Sequence, residues 1–132
     1  MKQEVEAAFA EMLDISTDID KAVLFGPAEV LASNMAEDAR ATAIAQAGEL
    51  IRLGEARAAE MGAQPFSQLV VETPGGYVFL AREVISDGMA ILATGKKGSR
   101  VGLVLYDLRT CMRDAREATN PKTPDDQETG EV

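Results

Sequence analysis

The segment MAILATGKKGSRVGLVLYD, residues 89–107, runs from an apolar stretch through a glycine and lysine loop into a helical pattern. Strand, loop and helix in that order outline a phosphate-binding site, since the unpaired N–H groups of a helix N-terminus and two lysines would face the anion. The spacing excludes the two nucleotide loops that use this outline. A Walker loop needs glycine five residues before Gly95 and a hydroxyl after Lys96, but those positions hold Ala90 and Lys97. The dinucleotide fingerprint G-x-G-x-x-G fails because the glycines at 88, 95, 98 and 102 never fall at that interval. What remains is Gly95 and Gly98 as turn residues and Ser99 as a helix cap, with a weak anion site at the helix N-terminus as an open alternative.

A second pattern, LDISTDID over 13–20, alternates Asp14, Ser16, Asp18 and Asp20 like the start of a calcium loop. Counting from Asp14, the required glycine falls on Ile19 and the bidentate glutamate on Phe25, so the segment reads as a solvated acidic connection. The chain has no histidine and a single cysteine, Cys111, which removes the usual zinc ligands and the commonest general base. No catalytic, cofactor-binding or metal-binding residue is assigned, and the chain is read as a non-enzyme without a cofactor. Tyr77 and Tyr106 read as half-buried packing residues. The arginines at 40, 52, 57, 82 and 100 read as surface charges. Any one of them set against a partner's phosphates would matter, because an arginine supplied in trans stabilises the transition state of GTP hydrolysis.

Composition bounds what can position these residues. A chain of 132 residues, 46% hydrophobic and 5% aromatic, suffices for one domain with an aliphatic core. The net charge of -9 opposes binding to nucleic acid or to an anionic membrane. No apolar run reaches the roughly 20 residues of a membrane span, and a lone cysteine forms no internal disulfide, so a cytoplasmic location is expected.

Val5, Ala8, Phe9, Met12 and Leu13 recur at helical spacing and predict an N-terminal helix ending near Asp14. IDKAVLF (19–25) and EVLASN (29–34) flank Gly26-Pro27-Ala28 and predict a hairpin. Asp38, in a capping role, opens an alanine-rich helix that runs to Gly62 as its C-cap. SQLVVET, GYVFLAR and GMAILAT predict a three-strand meander, with apolar runs continuous enough to imply helices on both sheet faces. Val101, Val104, Leu105, Leu108, Cys111, Met112 and Ala115 mark the buried stripe of a last helix, which makes Cys111 a structural thiol. The predicted class is α/β (α+β): a five-stranded, mostly antiparallel sheet with helices on both faces. Residues 1–118 form the domain, and the proline- and acid-rich 119–132 read as a disordered tail.

That order of elements, helix, two strands, helix, three strands, helix, resembles the Roadblock (dynein light chain) family. The resemblance is carried by DIDKAVLFGPAEVLAS, by the helix ending in ARAAEMG, and by the block from SQLVVETPGGYVFLAR to the helix opening V-G-L-V. It implies a homodimer in which third strands pair across a two-fold axis beside paired long helices. It also implies a non-catalytic partner of a small Ras-like GTPase, acting as activator or scaffold. Two features of the residues favour pairing independently. FSQLVVE lacks the internal Pro or Lys that usually protects an edge strand. The apolar arc of the long helix, about half its circumference, exceeds the stripe of roughly 100° that one sheet face takes. The dimer interface is accordingly assigned to Ser67, Gln68, Leu69, Val70, Val71 and Glu72 with Ala47, Ile51, Gly54 and Ala58, and the GTPase contact to Glu49, Arg52 and Arg57. The alternatives are a profilin-like small-molecule sensor and a purely structural assembly module.

Overall fold

The computed structural model describes residues 2–119. The expected tail lies outside the described residues apart from Thr119, which ends the last helix. The elements are α1 (Lys2–Ile15), β1 (Ile19–Phe25), β2 (Val30–Ser33), α2 (Glu37–Glu60), β3 (Gln68–Thr73), β4 (Gly76–Arg82), β5 (Ala90–Lys96) and α3 (Val101–Thr119). All five strands form one antiparallel sheet in the order β2-β1-β5-β4-β3. The predicted class and element order hold, and β3 lies at the sheet edge.

Side chains alternate across a strand, and this divides the core in two. Ala22 and Leu24 of β1 face α1 and α3, while Val23 and Phe25 face α2. On the first side Val5, Phe9 and Met12 of α1 meet Val104, Leu108, Cys111 and Met112 of α3 over Phe79, Ile91 and Ala93. On the second side α2 buries only Ala43 and Ala47 fully, against Val23, Leu80 and Leu92. The small alanine side chains bring this helix close to the sheet.

The long helix begins and ends differently from its sequence signals. Ala36, not Asp38, stands at the N-cap and offers no side-chain acceptor; the Asp38 carboxylate instead accepts from the N–H of Ala39 at 2.9 Å. Asp38 lies inside the first turn, where its charge still complements the helix dipole. At the other end Gly62, with φ of 70°, does terminate α2. The Gly62 N–H donates to the Ala59 carbonyl and the Ala63 N–H to the Ala58 carbonyl, the paired bonds of a Schellman ending.

Strand β5 runs two residues further than its pattern predicts and takes Gly95 and Lys96 into the sheet. Gly95 pairs with Ile19 on one side and Tyr77 on the other. A Cβ there would lie 2.6 Å from the Phe79 ring and 2.7 Å from the Ser99 hydroxyl, so close approach explains the glycine. Gly95→Ala is expected to destabilise the domain by about 1–3 kcal/mol through overpacking, read as a lower midpoint in urea at unchanged slope.

Candidate functional site

The loop that first suggests phosphate binding is already occupied from within. Asp18, in the connection between α1 and β1, is buried and reaches the start of α3. One of its oxygens accepts from the Arg100 backbone N–H at 2.9 Å and from Arg100 Nε at 3.1 Å, while Lys96 Nζ lies 3.6 Å from the other. The backbone hydrogen bond from Arg100, followed by that from its side chain, holds the Asp18 carboxyl below the ordinary aspartate value of 3.8. An internal carboxylate thus supplies, to the Arg100 N–H and to two of the loop's cations, the charge that an external anion would bring. Ser99 is not the cap, because its hydroxyl donates to the Lys96 carbonyl at 2.6 Å. The alternating acids read as a solvated connection therefore contain one buried structural anion.

The other arginines sort by their partners. Arg82, read as a surface charge, is instead half-buried: it pairs with Glu55, donates to the Phe66 carbonyl at 2.9 Å and lies over the Phe66 ring at 4.6 Å. Glu55 also accepts from the Phe66 N–H at 3.1 Å, so α2, the 61–67 loop and β4 are fastened at one point. Arg57 pairs with Glu60 at 3.1 Å on the exposed surface. Arg40 keeps Nε buried with no acceptor among the described residues. Arg52 is exposed and makes no ion pair among the described residues. Of the two tyrosines, Tyr77 is half-buried and stacks on Phe79 at 5.4 Å, whereas Tyr106 is exposed on the outer face of α3. Cys111 is buried, and burial with a smaller contribution from Asp114 pushes its thiol up to about 12, so it is no nucleophile near neutrality.

Beside the edge strand an open, mainly apolar groove of about 390 Å³ lies between α2 and the sheet. Leu50, Leu53, Glu49 and Arg52 form its helix wall; Val71 of β3, Val78 of β4 and Leu92 of β5 form its floor. Leu53 is 49% exposed and Val71 40%. The assigned interface residues separate here. Ser67 to Glu72 lie along the unpaired edge of the sheet. Ala47, in contrast, is buried against its own sheet, Ile51 packs with the inner cluster, and Gly54 faces Phe66 so closely that a Cβ would meet the ring at 2.9 Å. Ala58 is half-buried. Glu49 and Arg52 stand on the groove, with Arg57 further along the helix.

Among the described residues no group of three His, Cys, Asp or Glu side chains is placed to hold a metal, and no helix is long and apolar enough to cross a membrane. An antiparallel sheet of this order, with two helices on one face and one long helix beside an open edge, is the Roadblock/LC7 fold. Solved structures with that fold superpose over most of the chain. A Roadblock/LC7 domain from Streptomyces avermitilis matches at a TM-score of 0.74 with 16% identity, covering 86% of this chain and 96% of that one. Myxococcus xanthus MglB matches at 0.73 with 8% identity over 93% and 94% of the two chains. The gliding protein MglB from Thermus thermophilus matches at 0.68 with 17% identity over 89% and 90%. No family model and no curated protein matches the sequence.

Because the folded Asp18 carboxyl titrates below its unfolded value of 3.8, its stabilisation is complete by about pH 5 and is lost as pH falls through the lowered folded value. The melting-temperature gap between the wild type and Asp18→Asn should therefore be constant from about pH 5 to 7 and close on further acidification, as followed by circular dichroism.

Proposed function

We propose that this protein is a homodimeric, non-catalytic regulator or scaffold of a small Ras-like GTPase. One observation supports the dimer: the unpaired edge of β3 adjoins the apolar groove that Val71 of the same strand lines, so a single surface is able to meet both. A second copy of β3 supplies donors and acceptors to that edge. The second α2 then covers Leu50, Leu53, Val71 and Val78, and the contact is isologous. On this reading the helix contributes Leu50 and Leu53, with Ala47, Ile51 and Gly54 supporting them from inside the subunit.

The GTPase reading rests on the likeness in fold. Roadblock-like proteins accompany Ras-like GTPases, and the neighbour described as a gliding protein fits a motility or signalling setting. Glu49, Arg52 and Arg57 offer charged contacts on the same helix. Arg52 is the strongest candidate to approach a partner, since Arg57 is engaged by Glu60 and Arg82 by Glu55. The dimer acts by shaping or holding another protein's nucleotide site, and the location expected for it is the cytoplasm.

In sedimentation velocity at micromolar concentration the wild type should run as a dimer and the Leu53→Glu, Val71→Glu double variant as a folded monomer; a monomeric wild type rejects the dimer. With a Ras-like GTPase encoded alongside, reversal of Arg52 and Arg57 to Glu should weaken the complex roughly tenfold, ~1.4 kcal/mol. Single-turnover GTP hydrolysis with and without the dimer separates an activator from a scaffold, and unchanged affinity in the charge-reversed protein removes this helix as the contact.

A further inference from the structure

On the far side of the sheet, α1 and α3 leave a small cleft of about 50 Å³ between them. Its walls are helical stripes of the same period, Glu11, Met12 and Ile15 from α1 and Asp107, Thr110 and Asp114 from α3. Asp107 is out of place for a solvated acid. It falls inside the apolar stripe of α3, next to Leu108 and one turn from Cys111, and is only 8% exposed. Its Oδ2 is buried and receives no hydrogen bond among the described residues. A carboxyl oxygen buried in this way calls for a donor, because removing it from water without a hydrogen bond is costly.

We infer that this cleft receives the ammonium group of a lysine side chain from a partner protein. Four observations narrow the ligand. No three acidic, histidine or cysteine side chains among the described residues are close enough to enclose a metal ion, whereas an ammonium needs only hydrogen-bond acceptors around one side. Asp107 has a single buried oxygen without a donor, which suits the point charge of an ammonium better than the bidentate fork of a guanidinium. The apolar lining from Met12 and the exposed Ile15 gives a four-carbon stem something to lie against, as amphipathic side chains do elsewhere. The net charge of -9 on the chain favours a basic partner over an acidic one. Asp107 and Thr110 would accept from the ammonium at the base of the cleft, with Glu11 and Asp114 at its rim. This surface lies across the sheet from α2, so the inference does not depend on the GTPase reading.

The test uses the full chain and Nα-acetyl-L-lysine methylamide as the probe, followed by amide shifts in 15N-labelled protein. Saturable shifts confined to residues 8–15 and 107–114 are expected. Asp107→Asn, which keeps size and removes charge, should bind at least about fivefold more weakly while remaining folded. The corresponding arginine derivative should also bind more weakly. A Glu11→Gln, Asp114→Asn variant provides the same comparison at the rim should the buried substitution perturb the helix. Absence of saturable shifts, equal affinity in the charge-neutral variants, or the same response to potassium chloride would overturn the assignment. Tighter binding of free cadaverine than of the lysine derivative would move the site from a protein partner to a free diamine, and would overturn it also.

Discussion

The dominant constraint in this molecule is one of width. Five strands spaced about 4.8 Å apart span roughly 19 Å between the outer strand axes, and a helix with its side chains is about 10 Å across. Two helices match that width and one does not. The face under α1 and α3 is accordingly sealed, with Phe79, Ile91 and Ala93 fully buried. The face under α2 is sealed only along its middle. Its uncovered half falls toward β4 and β3, where Val78 is half-buried and Val71 and Leu53 stay in contact with water. Burying a Val or Leu side chain fully is worth about 1.5–3 kcal/mol, and whole domains are stable by only about 5–15 kcal/mol. A lone chain therefore leaves a sizeable stabilisation unused at one particular place.

That place is held in shape by polar fastenings at the periphery of the core. Arg82 joins Glu55 of α2 to the Phe66 carbonyl, and the Arg82 backbone N–H donates to the Ser67 carbonyl at 3.0 Å, immediately before β3 begins. The distance from the edge strand to the long helix is thus set by a carboxylate, a guanidinium and three backbone groups. A similar device works toward the opposite face of the sheet, where Glu83 accepts from Arg116 of α3 at 2.6 Å and from the Met89 N–H at 2.8 Å. Desolvation works to raise the Glu83 carboxyl, but the Arg116 hydrogen bond and the Met89 N–H outweigh it and hold the group below its ordinary value. These partly exposed pairs contribute little to net stability individually. Their value is positional: each ties a loop whose backbone would otherwise be free to move to an element whose place is fixed by packing.

The elements were legible in the sequence because local periodicity dictates them. Strand β1 lies where IDKAVLF predicts it, and the stripe from Val104 to Ala115 of α3 is buried as its spacing requires. The excess of apolar surface on α2 was legible too. Its rotation was not: a helical pattern gives the width of an apolar arc, but the sheet decides which part is covered. Ala47 and Gly54 turned inward, because small residues permit close approach to the sheet and to Phe66, and Leu50 and Leu53 were left at the groove. The Asp18 cap joins residues 82 apart, and no spacing rule connects them. Asp107 carried a readable signal that pattern reading passed over, an acid lying within an otherwise apolar stripe.

The two open surfaces differ in kind, and so do the associations they suit. The groove beside β3 is mainly apolar, adjoins unpaired backbone, and gains from every apolar atom it hides, which suits the long-lived contact between like chains proposed above. The α1–α3 cleft offers little area and an acidic lining, so on the lysine reading it discriminates between partners and steers their approach while adding little residence time. Sheet geometry keeps the two apart, since Leu24 and Val23 of one strand point to opposite sides. A dimer formed at the groove would present two such clefts on its outer surface, related by the same two-fold axis. Two weak lysine contacts on one rigid body act at a high effective concentration, so a partner carrying two suitably spaced basic residues would be held far more firmly than either contact could hold it alone.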